Sequence, residues 1–300
     1  MTPARGRIVL AINPNAAFGR NRDVGPRTAE RLEAAGYEVA MLREPNFELL
    51  RRETESEVAA GTDALVVVGG DGMVSLGVNV VAETDVPMGV VGAGTGNDLA
   101  RALGLPFDDP QAAIEALVRS LGRPPRTIDA ATVRHGELTT WFACVLSAGF
   151  DAIVNDRANR MTRPRGPSRY AIALARELAT FHPREYVLTI DGEVRTQRAM
   201  LVSVANTPSL GGGMRIAPDA ALDDGLLDVF IVHPLSRLGL VRVFPRVYSG
   251  THVDHPAVEL LRARSVRIEA SGVTAYADGE RLGALPVEVT ARPGALRVFA

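Results

Sequence analysis

The 300-residue sequence contains no lysine; all 33 of its basic residues are arginine. No Schiff base can therefore form on a lysine of this chain, and no P-loop lysine can reach a phosphate. Cysteine occurs once, as Cys144, which excludes an intrachain disulfide and fits a reducing cytosol. The arginines form no long run and the formal net charge is only -2, so the stripe that would grip nucleic acid is not expected. No window reaches the roughly 18 apolar residues of a membrane-spanning helix. The first apolar run breaks at Asn13-Pro14, too early for a signal-peptide core.

What is present is an ordinary globular mixture, 46% hydrophobic and 23% charged, in a chain long enough for two domains. Up to about residue 120 the pattern alternates. Apolar runs at 7–12, 37–42, 64–68 and 87–91 read as strands. Segments 22–35, 46–60, 73–83, 98–103 and 110–119 read as helices. Strand-helix alternation at this spacing predicts a mostly parallel sheet covered on both faces, with its ligand crevice beyond the carboxyl ends of the strands. Past Arg123-Pro124-Pro125 the pattern changes to short alternating strands at 127–134, 138–146, 185–191, 194–204, 226–232 and 264–270, interrupted by a helix over 168–181. The tail reads as two short strands around Pro293-Gly294. The expected organisation is an α/β nucleotide domain over 1–125, a β-rich domain over 126–292, and a final strand over 293–300 returning to the first.

Two glycine-rich stretches follow neighbouring strands. VVVGGDG places Gly69, Gly70 and Gly72 around Asp71, and GAGTGNDLAR places Gly92, Gly94 and Gly96 before Asn97 and Asp98. Glycines there let backbone N–H groups face an anion. A phosphate fits, though Asp71 would repel it unless a divalent cation lies between them, or unless Asp71 orders the loop or holds a ribose. The plain alternatives are tight packing turns, with Asn97 or Asp98 capping the next helix. Neither the GxGxxG fingerprint after the first strand nor a complete P-loop is present. Farther on, NTPSLGGGMRIAPDAALDDGLLDVF crowds Asp219, Asp223, Asp224 and Asp228 into one stretch, either a hard-cation site or a surface turn at Asp223-Asp224-Gly225. The triplet Asp-Gly-Glu occurs twice between strands, at 191–193 and 278–280, and composition does not separate the copies.

Taken in order, INPNAAFGR, VVVGGDGMVSLGVN, MGVVGAGTGNDLARALGLP, NTPSLGGGMRIAPDAALDDGLLDV and YADGERLGALPVEVTARPGALRV resemble the diacylglycerol kinase catalytic-domain family, the bacterial lipid kinases related to sphingosine kinases and, more distantly, to NAD kinases. The resemblance spans nearly the whole chain. It implies an N-terminal NAD kinase-like α/β domain, a C-terminal β-sandwich-like domain, an active site between them, and transfer of the ATP γ-phosphate to a lipid hydroxyl. It makes Asp278 the general base and Glu280 its acidic partner. Asn13, Gly69, Gly70, Asp71, Gly72, Gly94, Thr95, Asn97 and Asp98 fall on the nucleotide side, where Asp71 and Asp98 organise ATP and Mg²⁺ through water. Asp224, with the carbonyls of Ala221 and Leu226, matches a structural Mg²⁺ site. Two departures touch the nucleotide side: Met73 stands where the motif usually has threonine, and Phe18 and a displaced Gly19 alter the first loop.

The resemblance further implies a cytoplasmic protein that touches the membrane transiently from one side, with diacylglycerol the first candidate substrate; a homodimer is compatible with the sequence. The helical stretch RYAIALARELATF offers a lipid-facing surface or merely a cover for a sheet. Arg157, Arg160, Arg163, Arg165 and Arg169 precede or begin it and could meet anionic headgroups. Two other functions stay open: an NAD kinase-like phosphotransferase, and a non-catalytic lipid or nucleotide sensor.

Overall fold

The computed structural model describes residues 5–13, 23–94, 96–149 and 182–300. Thr95, the first loop with Phe18 and Gly19, the helix expected over 168–181 and its five arginines lie outside the described residues. The chain forms two compact units, Met1–Ala130 with Pro293–Ala300, and Ala131–Arg292.

The first unit is built on strands β1 (Arg7–Ile12), β2 (Glu38–Leu42), β3 (Ala64–Gly69) and β4 (Met88–Gly92), all parallel, in the order β2-β1-β3-β4. β3 and β4 are buried along their whole length, which explains their uninterrupted apolar runs. Helices α1 (Val24–Ala34), α2 (Phe47–Ala59), α3 (Asp71–Val81), α4 (Asp98–Ala102) and α5 (Pro110–Ser120) connect or follow them. Leu32, Ile114 and Leu117 pack with Ile8, Leu10, Val66 and Val68 in the core. α5 starts conventionally: Asp109 accepts the N–H groups of Gln111 and Ala112, and Pro110 occupies the first turn. α3 begins at Asp71, two residues before the sequence pattern placed it. The aspartate of the glycine motif therefore belongs to the first turn of a helix.

The second unit holds β6 (Leu138–Phe142), β7 (Val145–Gly149), β8 (Arg184–Ile190), β9 (Glu193–Ala199), β10 (Leu201–Ala205), β11 (Leu227–Val232), β12 (Val258–Ala263), β13 (Ser265–Glu269), β14 (Thr274–Ala277) and β15 (Glu280–Ala284), with parts of β5 (Arg126–His135) and β16 (Val287–Phe299). Its strands form two sheets, ordered β6-β5-β16-β13-β8-β9 and β12-β11-β10-β7-β14-β15. Leu146, Val202, Val204, Val229, Ile231, Val266, Ile268 and Val289 share one core. Two short helices, α6 (Arg237–Val243) and α7 (Arg246–Ser249), lie between β11 and β12.

Three strand readings need correction. The run 138–146 is two strands, broken at Ala143-Cys144, where the chain leaves one sheet for the other. The run 194–204 is likewise broken at Met200. The tail is one strand through Pro293-Gly294 rather than two, and its last residues pair parallel with Met88 and Gly89 of β4. In each case the apolar alternation carries no mark of where a strand changes sheet or stays whole.

Candidate functional site

In the first unit the two glycine stretches meet. Gly69 and Gly92 are register partners at the ends of β3 and β4, and the Ala93 N–H donates to the Gly69 carbonyl at 2.8 Å. One residue on, backbones touch. A Cβ on Gly94 would lie 2.3 Å from Gly70 Cα, and one on Gly70 would lie 3.0 Å from Gly94 Cα. Glycine is required here because two turns occupy adjoining space.

Asp71 ties the turns together. Its Oδ1 accepts the Asp98 N–H at 2.8 Å and its Oδ2 the Asn97 N–H at 3.2 Å. It thus caps α4 from another helix, correcting the expectation that Asn97 or Asp98 caps it. A side chain at Gly96 would collide with this carboxylate, its Cβ falling 2.0 Å from Oδ2. Asn97 adopts a left-handed conformation, φ 54°, and turns its amide back. Its Oδ1 accepts the Gly94 N–H at 3.0 Å, while Nδ2 donates to the carbonyls of Gly94 (2.9 Å) and Phe107 (3.3 Å). Asp98 is buried beside them, and the Asn13 N–H donates to Val68 at 3.1 Å, next to Gly69. Gly72 lies in the first turn of α3.

Met73 is only 1% exposed, and its Cγ lies 2.5 Å from the position a Cβ on Gly69 would take. Its departure from the family pattern therefore replaces a hydroxyl with a packing contact under the turn. The sequence left open which arginine could replace the missing lysine. Near the second turn the structure places Arg101, whose guanidinium lies 4.0 Å from the centroid of the Phe107 ring. Its buried Nε has no hydrogen-bond partner among the described residues.

In the second unit Asp278 forms the corner between β14 and β15, in a left-handed conformation with φ 46°. Asp278 is 7% exposed, and its carboxylate is clasped by backbone. Oδ2 accepts the Ala143 N–H at 2.8 Å; Oδ1 accepts those of Cys144 and Val145 at 2.9 and 3.0 Å. Three converging N–H donors stabilise a carboxylate as its anion. Glu280, two residues on, is exposed. The donors come from the break between β6 and β7. Sequence reasoning missed that role for residues 143–145, because the run from Trp141 to Leu146 is apolar throughout and marks no break.

The stretch around Asp224 is closed by protein groups. Asp224 Oδ1 accepts the Leu226 N–H at 3.0 Å, and Oδ2 is ion-paired with Arg262. Among the described residues no group of three His, Cys, Asp or Glu side chains could hold a metal. Arg262 thus supplies a positive charge beside Asp224 in this arrangement. Asp228 is a different case. Burial, reinforced by the nearby Asp219, pushes its carboxyl up to about 6.

A parallel sheet with paired glycine turns, followed in the chain by a two-sheet β unit, is the class of fold that the sequence resemblance implies. The sequence comparisons narrow it. Residues 7–133 match the diacylglycerol kinase catalytic domain, and residues 144–300 match the YegS C-terminal NAD kinase beta sandwich-like domain. A diacylglycerol kinase of Mycobacterium tuberculosis (strain ATCC 25618 / H37Rv) is 39% identical over 98% of this chain and 95% of its own length. One of Bacillus subtilis (strain 168) is 28% identical over 95% and 92%. A crystal structure of a putative diacylglycerol kinase from Bacillus anthracis str. Sterne shares the fold, with a TM-score of 0.77 and 22% identity over 99% of this chain and 98% of that one. The chain belongs to the diacylglycerol kinase catalytic-domain family, a family of lipid kinases. No helix among the described residues is long and apolar enough to cross a membrane.

Proposed function

We propose that this kinase transfers the γ-phosphate of ATP to the primary hydroxyl of a membrane lipid, with diacylglycerol the first candidate and phosphatidic acid the product. The observation that carries the reading is the backbone contact between Gly70 and Gly94, with Asp71 binding the second turn to the first. Such a pair of side-chain-free turns at strand ends suits a polyphosphate, and the N-terminus of α3 adds a positive dipole end. Mg²⁺ would accompany the nucleotide and neutralise charge on it. Asp71 is suited to hold that ion through water, because each oxygen that accepts one N–H keeps a second lone pair.

Phosphoryl transfer asks the protein mainly for positioning and charge stabilisation, plus a group to take the hydroxyl proton. Asp278 is the candidate base. Its three N–H partners hold the carboxylate in one orientation as an anion, ready to accept the proton as the hydroxyl oxygen attacks. Radiolabelled ATP offered to diacylglycerol and NAD⁺ side by side tests the reading: label in the lipid is expected, and label in NAD⁺ instead would establish the NAD kinase-like alternative. One observation favours a second reading. The clasp on Asp278 also exists at Asp191, where nothing catalytic is expected, so a non-catalytic nucleotide or lipid binder is consistent with the same corner. Tight ATP binding with no transfer to any alcohol would establish it.

The membrane contact we assign to the segment carrying α6 and α7. Leu238, Val241 and Tyr248 are 59%, 52% and 53% exposed there. Arg237 and Arg242 are exposed beside them, and residues 229–253 contain no acidic side chain. Apolar side chains flanked by unopposed arginines fit the surface of an anionic bilayer. Leu238→Glu with Val241→Glu should abolish sedimentation with phosphatidylglycerol vesicles and spare activity on a dispersed short-chain diacylglycerol. Unchanged sedimentation, or equal binding to purely zwitterionic vesicles, would refute this assignment; self-association lost in the double variant would instead mark the patch as a dimer surface.

A further inference from the structure

The second unit is built twice. Its sheets run β6-β5-β16-β13-β8-β9 and β12-β11-β10-β7-β14-β15, and shifting each strand by six places, forward for β5, β6, β8 and β9 and backward for β13 and β16, converts one order into the other. The correspondence reaches single hydrogen bonds. The Asp278 N–H donates to Val145 O at 3.0 Å; in the other copy the Asp191 N–H donates to Ser265 O at 3.0 Å. The Asp278 carboxylate takes the N–H groups of Cys144 and Val145; that of Asp191 takes those of Arg264 and Ser265. Asn206 N–H donates to Cys144 O at 2.8 Å, and Ala291 N–H donates to Arg264 O at 2.8 Å. Both aspartates thus staple the point where the chain crosses between sheets, and both have φ 46°.

The copies differ where the chemistry is expected. Position 291 is alanine; its counterpart is Asn206, a buried side chain whose Nδ2 donates to Ala143 O at 2.9 Å. That carbonyl belongs to the Ala143–Cys144 peptide, whose N–H is one of the donors to Asp278. A single peptide group is therefore held at one end by Asn206 and at the other by Asp278. At the Asp278 corner the Ala143 N–H supplies a third backbone donor, whereas at the Asp191 corner the extra donor is the Ser265 hydroxyl.

We infer that Asn206 is a positioning residue: by fixing the Ala143–Cys144 peptide it sets the orientation of the Asp278 carboxylate. The inference rests on the reading of Asp278 as the base. A hydrogen-bonded peptide that has lost its anchor can rotate, and small misplacements of a reacting group cost large factors in rate.

The test uses the full-length protein with ATP and diacylglycerol in mixed micelles, comparing Asn206→Ala and Asp278→Asn with the parent. For Asn206→Ala, kcat should fall about 10- to 100-fold with the KM for ATP unchanged. The acidic limb of its kcat/KM profile should move to higher pH, because a slack N–H stabilises the carboxylate less. Wild-type kcat, or a loss that merely follows the folded fraction with the pH profile unmoved, overturns the inference. Should Asn206→Ala not fold, Asn206→Asp keeps the volume while placing an acceptor against the Ala143 carbonyl, and the same readouts decide. The two readings separate cleanly. Asp278→Asn with near-normal turnover refutes the base and this inference with it; an inactive Asp278→Asn beside a fully active Asn206→Ala refutes only the positioning role.

Discussion

Asp191 and Asp278 are the same three-residue corner placed twice in one unit. Each is followed by glycine and glutamate, each sits at φ 46°, and each accepts the two N–H groups that open a neighbouring strand. Asp191 does this in an exposed turn; Asp278 does it at 7% exposure, with Asn206 bracing the peptide behind it. The clasp itself is therefore a sandwich-building device, and its presence says nothing about catalysis. What separates the copies is the dryness of the corner and the extra side chain that braces it. A buried charge-assisted hydrogen bond is worth more than an exposed one and is costlier to disturb.

The sharpest way to break the comparison is Asp278→Asn. If Asp278 is the proposed base, turnover of the variant should fall by about 10²- to 10⁴-fold while ATP binding persists. Steady-state kinetics with calorimetric ATP binding checks this. The logic extends to the first unit, where the contact is backbone to backbone. Gly94→Ala drives a Cβ to 2.3 Å from Gly70 Cα, so the turns must part. ATP affinity should drop by about tenfold or more, with a loss of about 1–3 kcal/mol in stability from overpacking. Asp191→Asn sharpens the contrast from the other side: its melting temperature should fall by about 2–6 °C, for a loss of roughly 1–2 kcal/mol, with kcat per folded molecule unchanged. Equal activity loss at 191 and 278 would erase the distinction between the copies.

Asp228 gives the smallest effect and a third term for comparison. It is as buried as Asp278, at 8%, but its neighbour is Asp219 and its carboxyl is pushed up to about 6. A carboxyl whose folded value lies above its unfolded value of 3.8 binds more protons when folded. It therefore costs stability above pH 6, and the cost is relieved as pH falls from about 6 towards 4. Asp228→Asn should raise the melting temperature at pH 7.5 by a few degrees and flatten its dependence on pH across that window, measured by thermal denaturation at pH 4.5, 6 and 7.5.

These contrasts also mark how far the sequence can be read. The parallel sheet was legible because β3 and β4 are buried on both faces and written as unbroken apolar runs. The turns at 69–72 and 92–96 were legible through their glycines, and at Gly69, Gly70, Gly94 and Gly96 a Cβ would crowd its neighbours. That the two turns touch was not, since Gly70 and Gly94 are joined through space alone. Asp71 capping α4 was hidden for the same reason, its partners lying 26 and 27 residues away. That Arg262 pairs with Asp224 was hidden as well, since it sits on β12, far along the chain. The sheet crossings at Ala143-Cys144 and Met200 left no compositional trace, and the duplication of the second unit lies in pairing order, not in letters. Asp-Gly-Glu was visible twice, yet the asparagine that distinguishes the copies belongs to a different segment.

The touching glycines at 70 and 94 have one last consequence. Neither loop can adjust to a ligand without carrying the other along, and with it the carboxylate linking them. Whatever anion settles there meets a saddle whose shape was decided when the domain folded. The entropy of ordering two flexible loops is then charged to folding, leaving a binding step in which little has to move.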